Sequence, residues 1–127
     1  MALAEKTEIP KIIMVLDTVF YLECWFEGHV QGVGFRYQSA STAKGFEVSG
    51  TVQNLADGRV FLRAEGEEPE VRAFHHALAD EMEDYIKEME IKTGSGSRKC
   101  LGFSILSWSL LSLHCNSLDF VLMLHFR

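Results

Sequence analysis

Residues 20–36 read Phe20-Tyr21-Leu22-Glu23-Cys24-Trp25-Phe26-Glu27-Gly28-His29-Val30-Gln31-Gly32-Val33-Gly34-Phe35-Arg36, and this run decides the fold. Its first half alternates. Leu22, Cys24 and Phe26 fall on one face against Tyr21, Glu23, Trp25 and Glu27 on the other, which predicts a strand over 20–30. Three glycines and an arginine then crowd into nine residues, Gly28 to Arg36. Beyond them Phe35, Ala40 and Ala43 recur at helical spacing over 35–44, and Gly45 stands where a helix-ending glycine belongs. Glycines at such a strand-to-helix junction let backbone N–H groups converge on an anion, since no Cβ blocks the approach and positive φ costs little. The following helix points its positive end at the same spot, and Arg36 adds a planar fork suited to phosphate oxygens. The bland alternative is a tight connection without a ligand.

Downstream, Phe46, Val48, Gly50 and Val52 alternate with Glu47, Ser49, Thr51 and Gln53, which predicts a second strand. Asn54-Leu55-Ala56-Asp57-Gly58 is a turn signal, and Val60, Leu62 and Ala64 return as a third strand, closing a hairpin. Pro69 opens a second helix behind Glu67 and Glu68, with Val71, Phe74, Leu78 and Met82 as its apolar stripe. Residues 85–92 read as extended, Gly94-Ser95-Gly96-Ser97 as a flexible loop, and Gly102 to Ile105 as a last strand. The order βαββαβ, with one extra strand-like piece, predicts an α+β ferredoxin-like sandwich: one mostly antiparallel sheet with two helices on one face.

Composition narrows the partners. A chain of 127 residues, 47% hydrophobic and 24% charged, is long enough for one globular domain. A net charge of −6 argues against nucleic acid, which selects a basic face. Cys24, Cys100 and Cys115 never form a Cys-x-x-Cys pair, so neither a disulfide framework nor a zinc site is expected, and a cytoplasmic setting is the simplest. The first nineteen residues read as an extension without a signal-peptide core, because Asp17 breaks the run Ile12 to Leu16. From Cys100 to Leu118 no Asp, Glu, Lys or Arg occurs, a length able to cross a bilayer, but five serines, His114 and Asn116 lie within it and Asp119 follows. Residues 107–127 are read instead as an added hydrophobic tail that packs on the domain, mediates association or stems from altered coding sequence. The domain proper is 20–106.

Asn54 follows Arg36 by eighteen residues, at the end of the second strand. A βαβ arrangement can bring the two together, so that the Asn54 amide holds a water beside a phosphate bound by the loop. Asparagine is no general base; such a site works by positioning and charge neutralisation. The run Gly28-x-Val30-Gln31-Gly32-Val33-Gly34-Phe35-Arg36 resembles the signature of the acylphosphatases, and Gly50-Thr51-Val52-Gln53-Asn54-x-x-Asp57-Gly58-x-Val60 resembles their second signature. Glu65-Gly66 and the helix containing Phe74 are similar to the family pattern too. The resemblance implies a ferredoxin-like fold and metal-independent hydrolysis of the carboxyl–phosphate bond of small acyl phosphates. It implies that Arg36 binds the phosphoryl group, that Asn54 orients the water, and that the amides of Gln31, Gly32, Val33, Gly34, Phe35 and Arg36 complete the cradle. No cofactor is implied.

The remaining polar clusters read as structural. His29 is a rim residue; His75 and His76 lie about 100° apart on a helix, poor geometry for one metal. The Glu65 to Glu70 cluster reads as a solvated turn. A monomer is expected. Two other classes stay open: a phosphate-binding module of the same fold without turnover, and an interaction protein dominated by its tail.

Overall fold

In the computed structural model, which describes residues 18–107, the opening run becomes β1 (Val19–Gly28), a loop, and α1 (Phe35–Ala43). Then follow β2 (Val48–Asn54), β3 (Val60–Gly66), α2 (Glu68–Glu81), a 3-10 turn at Glu83–Tyr85, β4 (Ile86–Gly96) and β5 (Phe103–Leu106). The strands form one sheet in the order β4-β1-β3-β2-β5. Neighbours run antiparallel except β2 and β5, which are parallel. Each helix carries the chain past one strand, so β3 inserts between β1 and β2, and β1 inserts between β3 and β4. This is the ferredoxin-like α+β sandwich, with β5 as the added edge strand.

Register explains the core. The pairs Leu22↔Ala64, Cys24↔Leu62 and Phe26↔Val60 put the apolar half of β1 and β3 on one face, and Val52 joins them opposite Leu62. These residues form one buried cluster with Phe35 and Ala43 of α1 and with Val71, Phe74 and Leu78 of α2, so both helices cover that face. Phe26 meets Phe35 with centroids 4.8 Å apart, and Phe74 meets Phe103 edge-on at 5.5 Å. Such pairs add about 0.5–1.5 kcal/mol each beyond their burial.

The opposite face departs from the alternating pattern. Ser49, Thr51 and Gln53 of β2, and Phe61, Arg63 and Glu65 of β3, are buried as well. At the end that carries Ser49 and Glu65 the cause is topological, while Phe61 at the other end packs against Trp25 with centroids 4.9 Å apart. β4 and β5 are the two edges of the sheet, so residues 97–102 must cross it. Four inter-strand steps make about 19 Å, and the seven chain steps from Gly96 to Phe103 reach about 23 Å, so the connection is nearly taut. It runs as a strap over the face away from the helices. Arg98 Nη1 donates to Ser49 Oγ at 2.7 Å, and the amides of Lys99 and Cys100 donate to the Glu65 carboxylate.

Glu65 is therefore no solvated turn residue. It is fully buried in β3 and accepts from Arg63 Nε at 2.9 Å, while Arg63 Nη1 donates to Glu23 at 2.7 Å. Burial works against the Arg63 charge, but Glu65 and Glu23 outweigh it and raise its pKa. Gly94-Ser95-Gly96 is likewise strand, not flexible loop, because β1 pairs with it residue for residue from Tyr21↔Gly94 to Val19↔Gly96. The Tyr21 ring occupies the place a side chain at Gly94 would take. Gly45 does not end α1 in a left-handed turn; the chain leaves through successive i→i+3 bonds from Lys44, Gly45 and Phe46 to Ser41, Thr42 and Ala43. The expectations for residues 1–17 and for the tail beyond Ser107, with His114, Cys115 and His125, lie outside the described residues.

Candidate functional site

The glycine loop supplies conformations that other residues resist. Gly32 and Gly34 both have φ near +81°, and Gly34 is the left-handed N-cap of α1. No side chain caps the helix, so the N–H groups of its first turn keep their donors for a ligand. A Cβ at either glycine would meet nothing within 4 Å; the requirement is for the backbone angle, not for space.

Above the loop lies a cleft of about 230 Å³. Gly32, Gly34 and Arg36 line it from the loop and α1, and Asn54 lines it from the end of β2. The buried side chains of Val30 and Phe35 form its apolar side. Among the described residues that line the cleft, Arg36 alone is charged, a local cation in an acidic chain. Its Nη1 reaches the carbonyl of Leu106 at 3.4 Å, at the long end of hydrogen-bonding range.

The sequence expectations divide here. Arg36 and Asn54, from separate elements, do face one cleft. Gln31 and Val33 are expected to act through their backbone amides, and their side chains point elsewhere. Val33 packs against the core, and the Gln31 side chain turns away to the β2–β3 turn, donating to the carbonyls of Leu55 (2.9 Å) and Arg59 (3.0 Å). Phe35 serves twice, through its place beside the cleft and through its ring against Phe26. Two cleft residues escaped the sequence reading. Tyr37 is 75% exposed and Ile105 is 43% exposed, both unusual for such side chains. Tyr37 could have been found from its position next to Arg36; Ile105 could not, since only the parallel pairing of β5 with β2 brings it there.

Competing chemistries find little support in the surroundings. Burial pushes the Cys24 thiol up to about 12, so it is no nucleophile near neutral pH. Among the described residues no group of three or more His, Cys, Asp and Glu side chains could hold a metal. None of their helices is long and apolar enough to cross a membrane.

The acylphosphatase family model matches residues 22–105, a span holding the glycine loop, Asn54, both helices and the greater part of every strand. The chain belongs to the acylphosphatase family. An acylphosphatase of Thermotoga petrophila is 51% identical over 53 residues, covering 42% of this chain and 59% of that protein. One from Lactiplantibacillus plantarum is 41% identical over 66 residues, covering 50% of this chain and 73% of its own length. Among solved structures, the crystal structure of the Bacillus subtilis acylphosphatase superposes with a TM-score of 0.62 at 28% identity. That superposition covers 68% of this chain and 98% of the Bacillus protein.

Proposed function

We propose that this chain hydrolyses the carboxyl–phosphate bond of small acyl phosphates, releasing a carboxylate and inorganic phosphate. The observation that carries the reading is the meeting of Arg36 and Asn54 beside two positive-φ glycines in one cleft. The loop amides and the Arg36 guanidinium hold the phosphoryl oxygens and neutralise their charge. The Asn54 side chain, donor and acceptor together, orients a water in line with the scissile bond. Water oxygen bonds to phosphorus as the bond to the acyl oxygen breaks. The electron pair leaves with the carboxylate, a leaving group stable enough to need no acid. Since the described cleft residues include neither carboxylate nor imidazole, the water's proton passes to a phosphoryl oxygen or to solvent. Charge neutralisation by arginine and amides leaves no step that calls for a metal.

The test is hydrolysis of a simple aryl acyl phosphate with chelator present. Arg36→Ala and Asn54→Ala should each lower turnover by about 10²–10³, the usual effect of removing one transition-state donor, while the fold is kept. Full activity in Arg36→Ala would sink the reading. An inactive parent chain that phosphate still protects against unfolding would make it a phosphate-binding module instead.

A further inference from the structure

We propose that Gln31 is a positioning residue whose side-chain amide fixes Asn54 against the phosphate loop; this rests on the function proposed above. Gln31 Nε2 has two hydrogens, and each has a partner: the carbonyl of Leu55 at 2.9 Å and that of Arg59 at 3.0 Å. Both partners are pure acceptors, so the nitrogen and not the oxygen of the amide must face them. The two carbonyls belong to the turn that Leu55 N closes on Arg59 O at 2.8 Å and Gly58 N closes on Leu55 O at 3.1 Å. Each carbonyl thus accepts one bond from its own turn and one from Gln31.

The position of this clamp gives it a consequence for chemistry. Leu55 is the residue after Asn54, and Gln31 is the residue before the first positive-φ glycine of the loop. Asn54 belongs to the sheet through its pairing with Val60, whereas residues 29–34 lie outside every strand and helix. The amide therefore ties the segment that holds phosphate to the segment that carries the water-orienting side chain, across 24 residues of sequence. Phosphate binding needs the loop amides and Arg36. Attack needs, in addition, a set distance between them and Asn54, and displacements of about 1 Å in such a distance change rates by about 10²-fold.

Gln31→Met keeps the length of the side chain and removes both donors. With a simple aryl acyl phosphate, Gln31→Met should lower kcat by about 10-fold to 100-fold. Its inhibition constant for inorganic phosphate should stay within about threefold of the parent value, because the change is confined to a side chain and keeps the loop's backbone amides and Arg36. In the Asn54→Ala background the same change should alter kcat by less than about twofold, since two residues acting through one effect are not additive. By NMR, added phosphate should shift the Gly32 and Gly34 amides in both chains but the Asn54 side-chain amide only in the parent. An unchanged kcat, a parallel loss of phosphate affinity, a further loss on top of Asn54→Ala, an Asn54 signal that responds alike in both chains, or a Gln31→Met chain that does not fold would each overturn the positioning role. A parent chain without turnover would instead overturn the proposed hydrolysis, and the NMR comparison would still decide whether Gln31 couples the loop to Asn54.

Discussion

His75 is the residue whose chemistry and surroundings conflict most. It lies on α2 beside the apolar stripe, 9% exposed, with its ring stacked 5.9 Å from that of Phe26. Its Nε2 is buried without a hydrogen-bond partner. Burial first, then the neighbouring charges of His76 and Arg72, hold its pKa below the ordinary 6.5. The folded chain therefore keeps this ring neutral to a lower pH than the unfolded chain does. Stability from His75 is complete above about pH 6.5 and is lost as pH falls from there toward the folded pKa, because only the unfolded state takes up the proton. Thermal unfolding at pH 7.5 and 5.5 should thus show a larger drop in Tm for the parent than for His75→Leu. Equal drops would mean that the folded chain protonates His75 as readily as the unfolded one. His76, one residue on, is exposed beside Asp80 at 3.7 Å.

At the scale of the element, β2 is held from three directions. β3 and β5 flank it, with Gly50 N donating to Gly102 O at 2.8 Å where the β5 side begins, and the strap meets its outer face, where Arg98 Nη1 donates to Ser49 Oγ. The approach of β2 to β3 at Gly50 leaves no space for a side chain: a Cβ there would strike the Arg63 carbonyl and stand 3.1 Å from the Ala64 Cα. These are backbone atoms that cannot step aside alone. Gly50→Ala should destabilise the domain by about 3 kcal/mol or more by urea unfolding, since overpacking against backbone exceeds the usual range. A change within about 0.5 kcal/mol, typical of a surface site, would show that the strands part easily. Alternation placed Gly50 on the apolar face correctly. It could not say that the residue must be glycine, because that depends on the pairing of Gly50 with Ala64.

The molecule as a whole is acidic, yet its cleft carries a lone arginine among the described lining residues. Binding an anion there couples to folding. A ligand taken up only by the native state adds RT ln(1 + [L]/Kd), about 2.7 kcal/mol at a hundredfold excess over Kd. Inorganic phosphate at that excess should raise the Tm of the parent by about 10–20 °C, given about 4–8 °C per kcal/mol for a small domain. Arg36→Ala should abolish the rise. A rise that persists in Arg36→Ala would place the anion elsewhere. The helices cover one face of the sheet, and on the other the strap between the two edge strands is held to the Arg63–Glu65 pair.

Local pattern by itself determined the order of elements, the apolar half of each strand, the stripe of α2, and the loop and Asn54 as candidates for one site. Periodicity and glycine placement act over a few residues, and those distances the linear chain displays. Only the tertiary structure decided which residues those elements bring together. The burial of Glu65 follows from a strap whose path depends on where β4 and β5 sit at opposite edges. The turning of Gln31 toward Leu55 and Arg59, and the arrival of Ile105 at the cleft, follow from contacts between segments 24 to 28 residues apart and from a parallel pairing at the sheet's edge. Such contacts leave no periodic trace in the chain, because each depends on the positions of several elements at once.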